Sequence, residues 1–262
     1  MIRWLVLLCC LLAAPAWADD WRDSLTPPQP GKFPPLRLVK VAYRFGWSGI
    51  VAAQADCDFS KAPHGQLQLA MKTQTTGAVR ALWRMDAEHT AWCDESTLRP
   101  IRLEQTEIFK KETLATKTEF SAENVRWTTV KTPSKEPPMR EHKFKVANVL
   151  DLQTGWLFVR SQRLHAGDHY RFVDFPAKGG YLVDIEVLGR EKVKVPAGTY
   201  DAIKCQVRLQ GVTKRLELEP HKKFKRAFAW LSDDPDRLLL KVEAEVFVGS
   251  VWCELQSVNF PL

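Results

Sequence analysis

Beyond its first 18 residues the chain has no apolar run long enough to cross a bilayer, which takes about 20 residues. It also lacks the groupings that mark common chemistries. The cysteine spacings show no C-x-x-C and no ligand pairs, which argues against zinc or thioredoxin-like redox chemistry. No nucleophile, base and orienting residue occur together, so the chain does not read as an enzyme, and no cofactor is expected. Neither a linker nor an internal repeat divides it.

Three local lookalikes fail on their details. Gly46-Trp47-Ser48-Gly49-Ile50 is followed by a strand pattern, whereas a nucleophile elbow leads into a helix. His165 and His169 are separated by Gly167-Asp168, a turn that sends the two rings apart. Asp233, Asp234 and Asp236 lack the glycine and later glutamate of a calcium loop, and Pro235 suits a plain turn.

The chain starts with MIRWLVLLCCLLAAPAWADD, which has the three parts of a secretory signal. Arg3 is the charged start, Leu5 to Leu12 the apolar run, and Ala16-Trp17-Ala18 the small-residue cleavage site. Cys9 and Cys10 lack the small residue that a lipoprotein signal places before its cysteine. Cleavage after Ala18 is expected, giving a soluble periplasmic product of 244 residues (262 less 18). Segment 19–38 is Pro-rich and is expected to be extended or loosely packed. Residues 39–262 read as a single antiparallel β domain, long enough to bury a core.

Removal of Arg3 leaves 37 Lys plus Arg against 31 Asp plus Glu, a net charge of +6. On an exported chain that surplus favours phospholipid or lipopolysaccharide head groups over nucleic acid. The densest positive charge is Lys222, Lys223, Lys225 and Arg226 around Phe224, a candidate contact for an anionic membrane surface. The plainer reading is a solvated strand edge whose lysines discourage pairing.

Four cysteines survive cleavage: Cys57, Cys93, Cys205 and Cys253. An even number in an exported chain suggests disulfides. Sequence proximity favours Cys57 with Cys93 and Cys205 with Cys253.

Strand signals dominate. In 181–209, Tyr181, Val183, Ile185 and Val187, then Val193 and Val195, then Ile203, Cys205, Val207 and Leu209 alternate with polar residues. Breaks at Leu188-Gly189 and Pro196-Ala197-Gly198 suggest three strands and two turns. Similar alternation fills 39–59, 67–75, 85–130 and 227–255, with a helical turn at 78–83 and an exposed KTPSKEPPM loop at 131–139. The one convincing helix is 148–161, with Asn148 as cap and Val149, Leu152, Trp156 and Val159 as its apolar stripe. The fold class is therefore mainly β: a curved antiparallel sheet, half-barrel or β-roll of about a dozen strands with one short helix. Packing of two sheets is the alternative.

Four pieces together resemble a bacterial exported family, domain of unknown function 3108. They are YRFGWSGIVAAQA at 43–55, the passage 151–167, the V-x-G-x-E-x-V-x-V-P-A-G-T-Y hairpin at 187–200, and 229–249 with its W-L-S-x-D turn. Ala53 stands where a glycine would be usual, and the 131–139 loop looks local to this chain. The resemblance spans about residues 40–257. It implies an envelope protein rich in antiparallel β-structure, akin to the half-barrels of lipoprotein carriers, and brings no activity or catalytic residues.

Two functions follow as expectations. The first is a non-catalytic envelope protein holding an apolar or amphipathic ligand in a curved sheet, with Trp92, Phe247 and Trp252 facing it. The second is an accessory envelope protein that acts on a partner through its surface, with no internal ligand.

Overall fold

The computed structural model describes residues 20–134, 141–221, 224–246 and 248–261, the side chain of Lys225 excepted. The expected signal peptide, residues 135–139 of the expected loop, Lys222, Lys223 and Phe247 lie outside the described residues.

The chain begins with β1 (Val39–Trp47), β2 (Ile50–Ala62), β3 (Gln66–Thr75), the short helix α1 (Gly77–Leu82) and β4 (Met85–Asp94). It continues through β5 (Pro100–Phe109), β6 (Thr113–Phe120), β7 (Val125–Thr132) and β8 (His142–Phe144). Helix α2 (Leu152–Ser161) precedes β9 (His169–Asp174), β10 (Gly180–Val195), β11 (Gly198–Val212) and β12 (Leu218–Pro220). Then come β13 (Phe224–Ser232), β14 (Leu239–Val246) and β15 (Ser250–Asn259). The fifteen strands of the described residues form one sheet, in the order β8 back to β1, then β15, β14, β13, β11, β10 and β9, with β12 beside β11. The chain thus meanders from β1 to one edge, crosses through α2 to the other, and meanders back until β15 pairs with β1.

The mainly β class is as the sequence suggests, with more strands than a dozen and two helices. The expected three strands of 181–209 are two. Val187 pairs with Cys205 and Gly189 with Lys204, so Leu188 is an extra residue in a continuous ladder. Gly189 at φ +152 supplies the bend. A bulge turns a strand without ending it, and from sequence it looks like a turn.

Helix α2 also starts later than expected. Leu150 bridges to β9, with its N–H donating to Val173 O at 2.8 Å and its carbonyl accepting from Phe175 N at 2.8 Å. That extended stretch delays the helix until Asp151, whose Oδ1 accepts from the Gln153 and Thr154 N–H groups at 2.9 and 3.0 Å. Thr154 Oγ1 returns the favour to Asp151 N at 3.0 Å, completing a capping box. The buried face is then Thr154, Gly155, Leu157 and Phe158, and Leu152 faces solvent. Gly155 looks like a weakness in the helix but is a packing requirement. A Cβ there would stand 2.9 Å from the Phe172 ring.

The helix lies against the inner face of the sheet. Leu157 joins Tyr43, Phe59, Leu69 and Cys93 in one core cluster. Phe158 and Val159 join Phe172, Ile185, Cys205 and Leu231 in a second. In a third, Val125 and Phe144 from one sheet edge pack with Val173, Phe175 and Leu182 from the other. Trp127 and Phe144 hold Phe175 at centroid distances of 5.0 and 5.4 Å. The sheet is therefore rolled but not closed: its two edges meet through side chains rather than a ladder.

The Pro-rich N-terminal segment is tied down. Trp21 Nε1 donates to Leu216 O at 2.8 Å. Thr26 N donates to Arg171 O at 2.8 Å, and its Oγ1 accepts from Arg171 N at 2.9 Å, covering the free edge of β9. Phe33 N reaches Ser161 O at 3.1 Å, and Leu36 is buried.

The expected disulfides are absent, and register explains why. All four cysteines are free. Cys205 and Cys253 occupy one row, but β13 and β14 lie between them, with pairings Cys205–Ala229, Ala229–Val242 and Val242–Cys253. Three strand spacings of ~4.8 Å far exceed the ~7 Å limit between disulfide Cα atoms. Cys57 and Cys93 are separated by β3 and offset along it, opposite Met71 and Leu67 respectively. Burial pushes the thiols of Cys57, Cys93 and Cys253 up to about 12 and that of Cys205 to about 11. They behave as small apolar fillers rather than nucleophiles.

Candidate functional site

The inner face of the rolled sheet has two walls of different character. On one, the row Cys205, Ala229, Val242, Cys253 continues through Phe45 to Ala53. The next row holds Val207, Ala227, Ala244 and Val251. Apart from Phe45 these side chains are small and apolar, and Val207, Ala229, Val242, Val251 and Cys253 are partly exposed. Cys205, Ala227 and Ala244 are buried, and Val207 and Cys253 pack against the core clusters, so this wall is apolar and only in part exposed.

The opposite wall is polar. Cross-strand pairing aligns Met71, His89, Gln105, Thr116 and Thr129 in one row from β3 to β7. Thr73, Ala87, Glu107 and Leu114 form the adjacent row. The Thr116 and Thr129 hydroxyls share a hydrogen bond of 3.0 Å. His89 Nε2, Gln105 Oε1 and Thr118 Oγ1 are shut off from solvent without a protein partner. Each such atom costs about 1–3 kcal/mol while it stays unpaired. Burial holds the His89 imidazole below its ordinary pKa, with the Glu107 carboxylate pulling the other way. The ring is therefore neutral at pH 7, with one nitrogen able to donate and the other to accept.

The start of α2 brings two more carboxylates inside. Asp151 is pushed up to about 6, first by burial, against the hydrogen bonds of the capping box. Asp174 is raised well above the ordinary carboxylate range by burial and then by the Asp151 charge. Asp151 Oδ2 and Asp174 Oδ1 both lack a partner. The folded state thus holds a proton on Asp151 that the unfolded chain, at 3.8, gives up earlier. Stability is unaffected by this group below 3.8, falls as pH rises towards 6, and carries a constant deficit above. Asp151→Asn keeps the capping oxygen and removes the charge. It should add on the order of 3 kcal/mol to urea-measured stability at pH 8 and almost nothing at pH 3.

Of the aromatics expected to face a ligand, Trp92 and Trp252 lie on the outer face. Trp92 donates Nε1 to Gln68 Oε1 at 3.1 Å and has the Arg102 guanidinium 3.9 Å from its ring centroid. Trp252 lies over Gly46, where a Cβ would come within 2.1 Å of the indole. Neither reaches the concave face. In the basic segment, Arg226 is paired with Glu245 at 2.8 Å, so its charge is locally neutralised. Arg163 and His165 N hold Asp168 to about 2 in the turn before β9. Two modest clefts occur elsewhere. One of about 210 Å³ lies under the N-terminal segment between Leu25, Pro27, Phe158 and Phe172, and one of about 310 Å³ lies outside by Arg102, Glu119 and Arg126. Neither cleft lies on the inner face, and the polar row of that face was not singled out in the sequence. His89 falls in phase with Met85, Ala87, Ala91 and Cys93, and neither it nor the threonines and Gln105 stand out in the sequence as a polar row.

A single antiparallel sheet rolled around one helix, open at its edges and two-sided inside, places the molecule among barrel-like β proteins. The chain belongs to the DUF3108 family of proteins of unknown function, whose sequence profile matches residues 42–256. No curated protein matches it. The fold is similar to that of a beta-barrel-like protein of domain of unknown function DUF1849 from Brucella abortus, with TM-score 0.58 at 8% identity, covering 87% of this chain and 99% of that one. A protein from Bacteroides fragilis described as exported, with a YmcC-like fold, aligns at TM-score 0.37 and 8% identity, over 88% of this chain and 99% of that one. A score that low says nothing of a shared fold.

Proposed function

We propose that the protein is a non-catalytic, exported binding protein that holds a single-chain amphiphile, such as a fatty acid or lysophospholipid, on its concave face. The observation that carries this is the pairing of two walls of different character. A partly exposed apolar wall of alanine, valine and cysteine lies on one half of the inner face, and the other half holds the unpartnered atoms of His89, Gln105 and, one row over, Thr118. An alkyl chain suits the first wall, and a polar head group can satisfy the second. Export rests on the Arg3, Leu5 to Leu12 and Ala16-Trp17-Ala18 signal pattern.

The test is titration of the mature chain with fluorescent fatty acids of increasing length. Binding should saturate near one per chain. Affinity should rise about three- to fourfold per methylene, the equivalent of ~0.8 kcal/mol each, and change little with salt. Non-saturable binding, or affinity that ignores chain length, would favour the accessory-protein reading instead.

A further inference from the structure

The outer margin of the sheet carries a second feature, independent of the concave face. Eleven large hydrophobic side chains are exposed among the described residues, and all but Leu38, Leu152 and Leu188 lie along one run of neighbouring strand tips. Trp47, Ile50 and Val51 form the β1–β2 tip, Val248 the β14–β15 tip, and Leu82 and Trp83 the end of α1. Leu82 is 90% exposed, so nothing in the fold uses it.

These tips are braced rather than loose. Trp47 Nε1 donates to Val248 O at 2.8 Å, and Ser48 N to Ser250 O at 2.9 Å. Thr76 N donates to Ala52 O at 2.9 Å, tying the start of α1 to β2. Trp83 stacks on Phe109 of the β5–β6 tip at 6.2 Å between centroids. Apolar side chains are thus held outward from a fixed frame, with their ordering cost already met by folding.

The surrounding charge is positive. Arg80, Arg84, Lys110, Lys111 and Lys131 stand against Asp86 and Glu112 on the same tips. Arg80 and Arg84 share Asp86, and Lys131 is paired with Glu112. Lys110 and Lys111 are exposed and form no ion pair among the described residues. Separate protruding apolar tips with tryptophan beside lysine match the interfacial zone of an anionic bilayer, where indole rings and ammonium groups sit at head-group depth. We infer that this margin docks the protein on an anionic phospholipid surface, with Leu82, Ile50 and Val248 entering the acyl boundary.

Flotation with vesicles tests this on the mature chain. Binding should be strong with phosphatidylglycerol mixed into phosphatidylcholine and weak with phosphatidylcholine alone. Leu82→Ser combined with Ile50→Ser should lower partitioning at least about tenfold, and thermal melting should show the variant folded, since both side chains are exposed. Lys110→Glu with Lys111→Glu should abolish the preference for anionic vesicles. Brominated lipids should quench tryptophan in the parent chain and much less in the apolar variant. Vesicle binding unchanged by both variants would overturn the inference, as would tip-dependent dimerisation in sizing chromatography without lipid binding. The apolar variant should still bind free fatty acid, so loss of docking and loss of the concave site are read separately.

Discussion

Replacing Arg160 by alanine should cost about 3–5 kcal/mol of stability, the largest single effect expected in this chain. Arg160 projects from the last turn of α2 and is only 2% exposed. Its guanidinium donates to Asp236 O at 3.1 Å, Pro34 O at 3.0 Å and Pro235 O at 3.3 Å. Burial, and then the neighbouring Arg237 charge, lowers its pKa to about 10, which leaves it charged at neutral pH. Arg237 completes the clasp by donating to the carbonyls of Arg160 at 2.8 Å, Gln162, and Arg163 at 3.2 Å. Those are orphan carbonyls at the negative end of α2, where a cation is favourable. Arg237 also stacks on Phe33 at 3.3 Å, and Asp236 takes Arg37 in a fork at 2.8 and 2.6 Å.

One side chain thus binds the N-terminal segment, the helix and the β13–β14 turn. Truncating it leaves the buried Asp236 carbonyl and the part-buried Pro34 and Pro235 carbonyls without this partner, and a void in the helix's last turn. Equilibrium urea unfolding checks the cost. A loss under about 1 kcal/mol would mean the clasp is dispensable. Arg160→Lys should recover only part of it, because a single ammonium cannot span three separate acceptors as the planar fork does.

The turn in this clasp shows what could be read from the chain and what could not. Asp233-Asp234-Pro235-Asp236 was legible as a turn, and Asp234 Oδ1 accepts from Ser232 Oγ, Asp236 N and Arg237 N as an aspartate in a turn does. Nothing in the sequence announced that Arg160, 76 residues away, would close over it. Most strands were visible because alternation with period two is local. The strand β9, HYRFVD, was missed because it is short and mixes a charge into its apolar face. The cysteine pairings failed for a related reason. Proximity in sequence places two residues in nearby strands, but only register fixes the distance between them. The concave polar row was hidden most deeply. Where both faces of β5 and β6 carry Gln, Glu and Thr, hydropathy cannot tell inside from outside, and the side emerges only when neighbouring strands fix it.

If the concave face holds an alkyl chain, filling it should abolish binding while sparing the fold. Ala229 is the position for this. It sits mid-row between Cys205 and Val242, on the inner face, and is partly exposed. An indole there would occupy space now bounded by small side chains, and because the position is not fully packed it need not displace a neighbour. Ala229→Trp should weaken fatty-acid binding at least about fiftyfold, which corresponds to the ~0.8 kcal/mol per methylene of three excluded methylenes, while shifting stability by less than about 1 kcal/mol. Glu243→Trp is the control: Glu243 pairs with Phe228 and Trp252 on the outer face, so it adds the same bulk away from the site. Fluorescent fatty-acid titration and urea unfolding on both variants separate the alternatives. Equal loss from both would point to a general disturbance of the sheet. Full binding by Ala229→Trp would move the ligand off the concave face, because a chain lying along the row from Cys205 to Cys253 has no route around an indole at its centre.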